Sequence, residues 1–184
     1  MTTSETLDVI ARRYACRAYN DTPVPTDILH TVAEAGVRAP SAVNRQPWRF
    51  IVISDKAALD EIGAAGLENL KTADEAGYER ILSRGGVLLY NAPAMILVTT
   101  EPQPGSYPVE LDAGIAVSHM ALAATSLGLN SCIVAMPGVA FQNEDLKAKY
   151  IPQGFDFTIA LLLGYAANPG GTPHEPDFSK IIYM

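Results

Sequence analysis

Apolar positions along this chain alternate between a helical and a strand period. Ile28, Leu29, Val32, Ala33 and Ala35 recur at helical spacing and predict a helix capped by Thr26. Ser4 or Thr6 can cap an earlier helix running to about Arg13. Thr22-Pro23-Val24-Pro25 between them is extended, because each proline bars the helical region to the residue before it. Pro40-Ser41-Ala42 stops the second helix. Trp48–Ile53 is a short β-rich run and reads as a strand. Helical patterns follow at about residues 56–64 and 68–84. Ala94–Thr100 carries no charge, which predicts a strand buried on both faces. Residues 110–127 are nearly all small or apolar and read as a buried central helix, closed by Gly128. Residues 131–135 and 157–163 read as strands, and Asn143 as the cap of a short helix through Lys149. About four strands among helices, without regular βαβ alternation, predict a layered α+β fold. No linker or repeat divides the chain, so one domain over residues 1–184 is expected.

The tail from residue 166 holds prolines and glycines with little periodicity, yet ends in Ile181-Ile182-Tyr183-Met184. Apolar residues at a terminus are seldom left in water, so the tail is expected to lie on a partner surface such as a second subunit. An apolar fraction of 48% and a charged fraction of 18% are those of a globular chain with some apolar surplus, which leans toward an oligomer. The net charge of −7 argues against non-specific nucleic-acid binding. Residues 1–49 depart from that balance, with six arginines against five acids. A local arginine cluster suits one small anion, because the guanidinium fork matches phosphate. No unbroken apolar stretch, such as that at residues 159–163, approaches the length of a membrane span. Cys16 and Cys132 make neither a disulfide framework nor a metal spacing, and the N-terminus carries no signal pattern. A cytoplasmic setting with reduced thiols is the expectation.

No GxSxG, HExxH, GxxxxGK[ST], CxxC or GxGxxG occurs, so no nucleophile elbow, zinc site, P-loop or Rossmann site is supported. His30, His119 and His174 are far apart; His119 reads as a core histidine of the central helix and His30 as surface helix. Two segments stand out. In Arg12-Arg13-Tyr14-Ala15-Cys16-Arg17, Arg13 and Arg17 flank a helix end and could reach one anion between them; the alternative is a solvated cluster. In Ala39-Pro40-Ser41-Ala42-Val43-Asn44-Arg45-Gln46-Pro47-Trp48, small, hydroxyl and amide residues crowd a loop between a helix and a strand. Amides and hydroxyls can read a heterocycle edge that both donates and accepts hydrogen bonds. The alternative is a helix stop, a turn and a core tryptophan.

Together these segments resemble the flavin-dependent nitroreductase family, in which Arg-Arg-Ser-x-Arg ends the first helix, Pro-Val follows, and Ala-Pro-Ser-x-x-Asn-x-Gln-Pro-Trp comes later. The resemblance continues through residues 112–132, with Leu122-Ala123-Ala124 and Ser126-Leu127-Gly128-Leu129, to Leu163-Gly164-Tyr165. It implies a mostly antiparallel central sheet, an entwined homodimer and two FMN molecules at the subunit interface. It also implies ping-pong hydride transfer from NADH or NADPH through flavin N5 to a nitroaromatic, quinone, enal or other acceptor, with no catalytic side chain and no metal. Carried over, Arg13 pairs with the FMN phosphate, Tyr14 and Ala15 lie beside it, and Arg17 lies nearer the ribityl chain or the N1/O2 edge. Pro40, Ser41, Ala42, Asn44 and Gln46 approach from the other subunit. Pro137 and Gly138 face the ring near N5, with the Gly138 N–H as donor since proline has none. Ala15 replaces the family's serine, and His174 stands where an arginine usually completes the phosphate site, with Lys180 as the alternative. The stretch between Cys132 and Asn143 is longer than in compact members. Tyr78 and Tyr90, in the segment 68–90, could wall the substrate or simply fill the core. A flavin-carrying or flavin-cleaving relative without reductase turnover is the alternative function.

Overall fold

A computed structural model describes residues 4–102, 108–168 and 171–184. Its sheet consists of β1 (Trp48–Ile53), β2 (Ala94–Thr100), β3 (Asn130–Val134) and β4 (Asp156–Gly164). All pairings are antiparallel, in the order β1-β2-β4-β3. The α+β expectation holds. β2 is central and buried at every position, as a strand without charges must be. Its side chains alternate between the two faces. Met95 and Leu97 enter one apolar cluster, with Ile62, Leu70, Ile81, Leu146, Ala160 and Leu162. Ile96 and Val98 enter the other, with Leu29, Val32, Met120, Leu161 and Leu163. Truncating any such leucine to alanine costs about 2–5 kcal/mol.

The helices are α1 (Glu5–Arg12), α2 (Thr26–Val37), α3 (Lys56–Ala73), α4 (Glu75–Leu82), α5 (Val109–Ser126) and α6 (Glu144–Tyr150). α2 and α5 cover one face of the sheet; α3, α4 and α6 supply the cluster on the other. α2 and α5 approach closely at Gly36, where a Cβ would stand 2.9 Å from the Met120 side chain. Ser4 caps α1, its hydroxyl accepting from the Leu7 N–H at 3.3 Å. Thr26 is not a cap: Pro25, already extended at φ −57° and ψ 141°, holds that position, and Thr26 opens the helix. The break expected at residues 65–67 is also absent. α3 continues to Ala73, and its Gly66 packs on Leu88, where a Cβ would meet Cδ2 at 2.5 Å. The chain turns instead at Asp74, whose carboxylate accepts from the Gly77 N–H at 2.9 Å and caps α4.

α5 departs most from expectation. Asp112, Ala113, Ala116, Val117, Met120, Ala121 and Ala124 are buried, but Leu111, Gly114, Ile115, Ser118 and His119 form an open stripe. His119 is therefore exposed rather than a core residue. Its outer side mixes Leu111 and Ile115 with Ser118 and His119, so no continuous polar face marks it. Gly128, at φ +81°, ends α5 in the left-handed region, and the Leu129 N–H returns to the Ala124 carbonyl at 2.9 Å. His30 is exposed as expected, 3.7 Å from Glu34. Among the described residues no helix is long and apolar enough to cross a membrane, and no group of His, Cys, Asp and Glu could hold a metal. Phe178, Ile181, Ile182, Tyr183 and Met184 all stand exposed on this chain.

Candidate functional site

The arginine segment is an added strip of extended chain. Arg13 caps the C-terminus of α1, its N–H donating to the Val9 carbonyl at 3.1 Å. Beyond it Ala15 bridges Ser131 of β3 in parallel, and the Cys16 N–H donates to the Ser131 carbonyl at 2.9 Å. The strip continues beside residues 165–167, with Asn20 N–H to the Tyr165 carbonyl and Ala167 N–H to the Ala18 carbonyl, both at 2.9 Å. In extended chain alternate residues share a side, so Arg13, Ala15 and Arg17 face one way and Tyr14 and Cys16 the other. Tyr14 is committed to the fold: its hydroxyl accepts from Asn130 Nδ2 at 3.2 Å, and its ring packs on Gly171. Asn130 also takes the Ala166 N–H at 3.0 Å, joining strip, β3 and tail. Burial raises the Tyr14 and Tyr19 hydroxyls above their ordinary range; Tyr19 donates to the Leu162 carbonyl at 3.4 Å. Burial also pushes the Cys132 thiol up, while the positive charges of Arg17 and Arg13 pull it back. Both guanidiniums therefore lie near enough to β3 for their charge to be felt at Cys132.

The second segment is strained. Val43 (φ 48°), Asn44 (φ 56°) and Gln46 (φ 50°) occupy the left-handed region around a 3-10 turn at Ala42–Asn44. Each such residue costs on the order of 1–3 kcal/mol and persists only where neighbours hold it. Here the buried Asp112 carboxylate accepts from the Ala42 N–H at 3.2 Å, and Ser41 Oγ from the Gln46 N–H at 2.9 Å. Gln46 Nε2 donates to Asn44 Oδ1 at 2.9 Å. Pro40, Asn44 and Gln46 remain exposed, and Ser41 and Ala42 half-buried, while Trp48 is buried and stacked on Phe50 at 5.9 Å. Sequence reading missed the anchoring role of Asp112; an acid inside a run of small apolar residues was the signal.

Pro137 is buried at the start of the 3-10 run Met136–Gln142. The Gly138 N–H is taken by the Ala135 carbonyl at 3.0 Å, so it is not the free donor that the resemblance implied. Gly138 instead packs on Phe157, where a Cβ would lie 2.7 Å from two ring carbons. Asn69 of α3 ties the same turn down, donating to the Val139 carbonyl at 2.9 Å. His174 is exposed, and Lys180 lies 3.4 Å from Asp177. Tyr78 and Tyr90 are half-buried against the core.

One chain does not bring the two motif segments together. The arginine strip lies on edge strand β3 at Ser131, level with Leu163 and Ala94. The 40–46 loop feeds edge strand β1 at Trp48, level with Thr100 and Asp156. Three strand spacings and about six residues of rise put them roughly 25 Å apart, corner to corner. α5, 18 residues and about 27 Å long, runs along that diagonal. Its first turn holds the loop through Asp112. Its far end, at Thr125, lines a 470 Å³ cavity with Gly128, Arg12 and Tyr14.

The family model described as Nitroreductase family matches residues 10–165. A solved nitroreductase with bound FMN from Desulfitobacterium hafniense DCB-2 has the same fold at a TM-score of 0.92, with 40% identity over 100% of both chains. A nitroreductase with bound FMN from Bacteroides fragilis NCTC 9343 gives 0.86 at 26% identity, over 99% of each chain. A curated Archaeoglobus fulgidus protein, named as a candidate NADH dehydrogenase/NAD(P)H nitroreductase, is 32% identical over 168 residues, 88% of this chain and 85% of its own. The family match spans most of the chain and the solved relatives share its fold: the protein belongs to the nitroreductase family.

Proposed function

We propose that this chain is an FMN-dependent oxidoreductase that passes hydride from NADH or NADPH to a small acceptor such as a nitroaromatic, quinone or enal. It works as a cytoplasmic homodimer, each chain a single domain over residues 1–184. The observation that carries this is the placement of the two motif segments at opposite ends of α5, whose open outer stripe carries Leu111, Gly114 and Ile115 beside Ser118 and His119. A two-fold axis across α5 runs the helices antiparallel, so the 40–46 loop of one copy meets the arginine strip of the other. The exposed apolar tail then gains cover on the second copy.

The residues present suit FMN. Two guanidiniums on one side of the strip match a phosphate and a negatively charged ring edge. Hydroxyl and amide groups at Ser41, Asn44 and Gln46 match a ring edge that donates and accepts. In this reading Arg13 holds the phosphate and Arg17 sets a fixed cation nearer the ring, with Tyr14 and Ala15 beside them. Pro40, Ser41, Ala42, Asn44 and Gln46 of the second copy close the site, and Pro137 and Gly138 form a wall backed by Phe157. His174 or Lys180, both exposed, completes the phosphate site. When bound, FMN supplies hydride acceptance and release at N5. The side chains bind, orient and exclude water, and none acts as a nucleophile.

The test is the visible spectrum of the purified protein, followed by anaerobic mixing with NADH or NADPH. A yellow protein that bleaches supports the reductase. A yellow protein that does not bleach gives the carrier reading instead. A protein that stays colourless after incubation with FMN refutes the flavin site.

A further inference from the structure

Arg80 and Arg84 lie one turn apart at the end of α4 and line a small cavity of 40 Å³ with Leu88, Tyr90 and Met136. They are the two arginines of a stretch, residues 50–184, that carries seven basic against 15 acidic residues. Lys56, Lys147, Lys149 and Lys180 in that stretch each have an acid within 2.7–3.4 Å. Arg80 is braced by Asp74 at 3.6 Å. Arg84 has no acid partner among the described residues. A helix C-terminus favours a cation, but that does not explain two guanidiniums on one cavity with an aromatic ring.

The chain beside this cavity is strained as well. Tyr90 (φ 54°) and Asn91 (φ 58°) occupy the left-handed region, whereas Gly85 and Gly86 close α4, the Gly86 N–H returning to the Ile81 carbonyl at 2.9 Å. Non-glycine residues in that region cluster at ligand sites. Met136, on the cavity wall, is followed directly by Pro137 and Gly138, the wall assigned to the ring above. The volume is close to that of a single water, so it admits the tip of a carboxylate or phosphate group and is too small for an aromatic ring. A reactant anchored there by its charged end would extend past Met136 toward that wall.

We propose that Arg80 and Arg84 form an oxyanion-recognition site, selecting reactants that carry a carboxylate or phosphate away from the reacting group. The inference rests on the reductase reading above. Planar guanidiniums pair with such groups through two parallel hydrogen bonds, which a solvated lysine does not reproduce. The oxyanion belongs either to the electron acceptor, as a carboxylate, or to NADPH, as its 2′-phosphate.

Both sources are tested on the purified, FMN-incubated protein and its Arg80→Ala, Arg84→Ala and Arg84→Lys variants, with Lys71→Ala as a control cation outside the cavity. Kinetics compare 4-nitrobenzoate with nitrobenzene, and NADPH with NADH. Calorimetry titrates benzoate and adenosine 2′-monophosphate. If the carboxylate is read, the kcat/KM ratio of nitrobenzoate to nitrobenzene falls tenfold or more in Arg84→Ala and Arg80→Ala and stays in Lys71→Ala. Arg84→Lys recovers part of it, and benzoate binding falls in parallel. If the 2′-phosphate is read, the NADPH to NADH ratio and adenosine 2′-monophosphate binding fall instead. Ratios unmoved in both alanine variants, or no saturable binding of either probe to the unaltered protein, overturn the proposal. Because calorimetry needs no turnover, a protein that binds a probe through Arg84 yet fails to bleach refutes the reductase reading and keeps this site.

Discussion

Replacing Gly114 with leucine separates a two-chain architecture from a one-chain one. Gly114 lies on the open stripe of α5 beside Leu111, 66% exposed, and Ile115, 40% exposed, and a Cβ there meets nothing within 4 Å. Within one chain the change is benign. Leucine in a helix interior is favoured over glycine by about 0.5–1 kcal/mol. Across a two-fold interface the same face meets its symmetry mate, with helix axes about 8–10 Å apart. An isobutyl group added there is overpacking, at about 1–3 kcal/mol. It occurs twice in an isologous contact, so the dimer loses about 2–6 kcal/mol, or about 30-fold to 10⁴-fold in dissociation constant. Light scattering behind size exclusion, run over a range of protein concentrations, reads the assembly. Flavin-to-protein absorbance reads the site, and far-UV circular dichroism confirms the helices. The expected result is a folded Gly114→Leu monomer that has lost most of its flavin. A variant that stays dimeric with full flavin, or an unaltered protein that is itself monomeric, would refute the α5-centred assembly and the shared site built on it.

Arg13→Ala removes one charge-assisted contact of about 1.5–3 kcal/mol and should weaken FMN binding about 10- to 150-fold by fluorescence titration; unchanged occupancy would remove Arg13 from the phosphate site. Gly138→Ala drives a methyl onto Phe157, which is itself held 5.4 Å from Phe141. The cost of about 1–3 kcal/mol should lower the melting temperature by about 2–12 °C, and an unchanged melt would show that the Phe157 ring yields freely. Glu61 accepts from Lys149 Nζ at 2.7 Å and Tyr150 Oη at 2.6 Å, and those bonds, the lysine's first, hold its carboxyl below the ordinary 4.5. A carboxyl depressed on folding stabilises at neutral pH and loses that contribution as pH falls through its folded value. Glu61→Gln should therefore show a shallower fall in melting temperature on acidification than the unaltered protein, and parallel curves would mean the α3–α6 link contributes nothing.

Much of the fold is legible in the sequence because its signals are local. The β-rich run at 48–53, the charge-free run at 94–100 and the Asn143 cap are where they were expected, since each depends on neighbours within a few residues. The glycine that closes α5 is equally local, because only the left-handed turn after a helix asks for it there. The misplaced break in the segment 56–84 has a different origin. Glycines at 63 and 66 look like breakers, yet Gly66 is kept inside a helix by the approach of Leu88, a residue more than twenty positions away. The candidate site divides in the same way. Its residue types were visible as motifs. The engagement of the Gly138 N–H, the anchoring of Ala42 by Asp112 and the Arg80–Arg84 cavity were not, because each depends on contacts made elsewhere in the fold.

Residue types in short windows settled which segments are strands and helices, which family the chain resembles, and which arginines and amides are candidates for an anion and a heterocycle. Tertiary structure decided how far apart those candidates lie. Sheet order and register set the arginine strip and the Pro-Ser loop at opposite corners, and α5 joins them along an open, partly apolar stripe. Sequence spacing carries no such distance, because strand order is chosen by the packing of both apolar faces together. A helix with apolar residues on both sides likewise does not say which side meets the core. Burial of its inner face against α2 and the sheet made that choice, and left His119 and Ile115 outside.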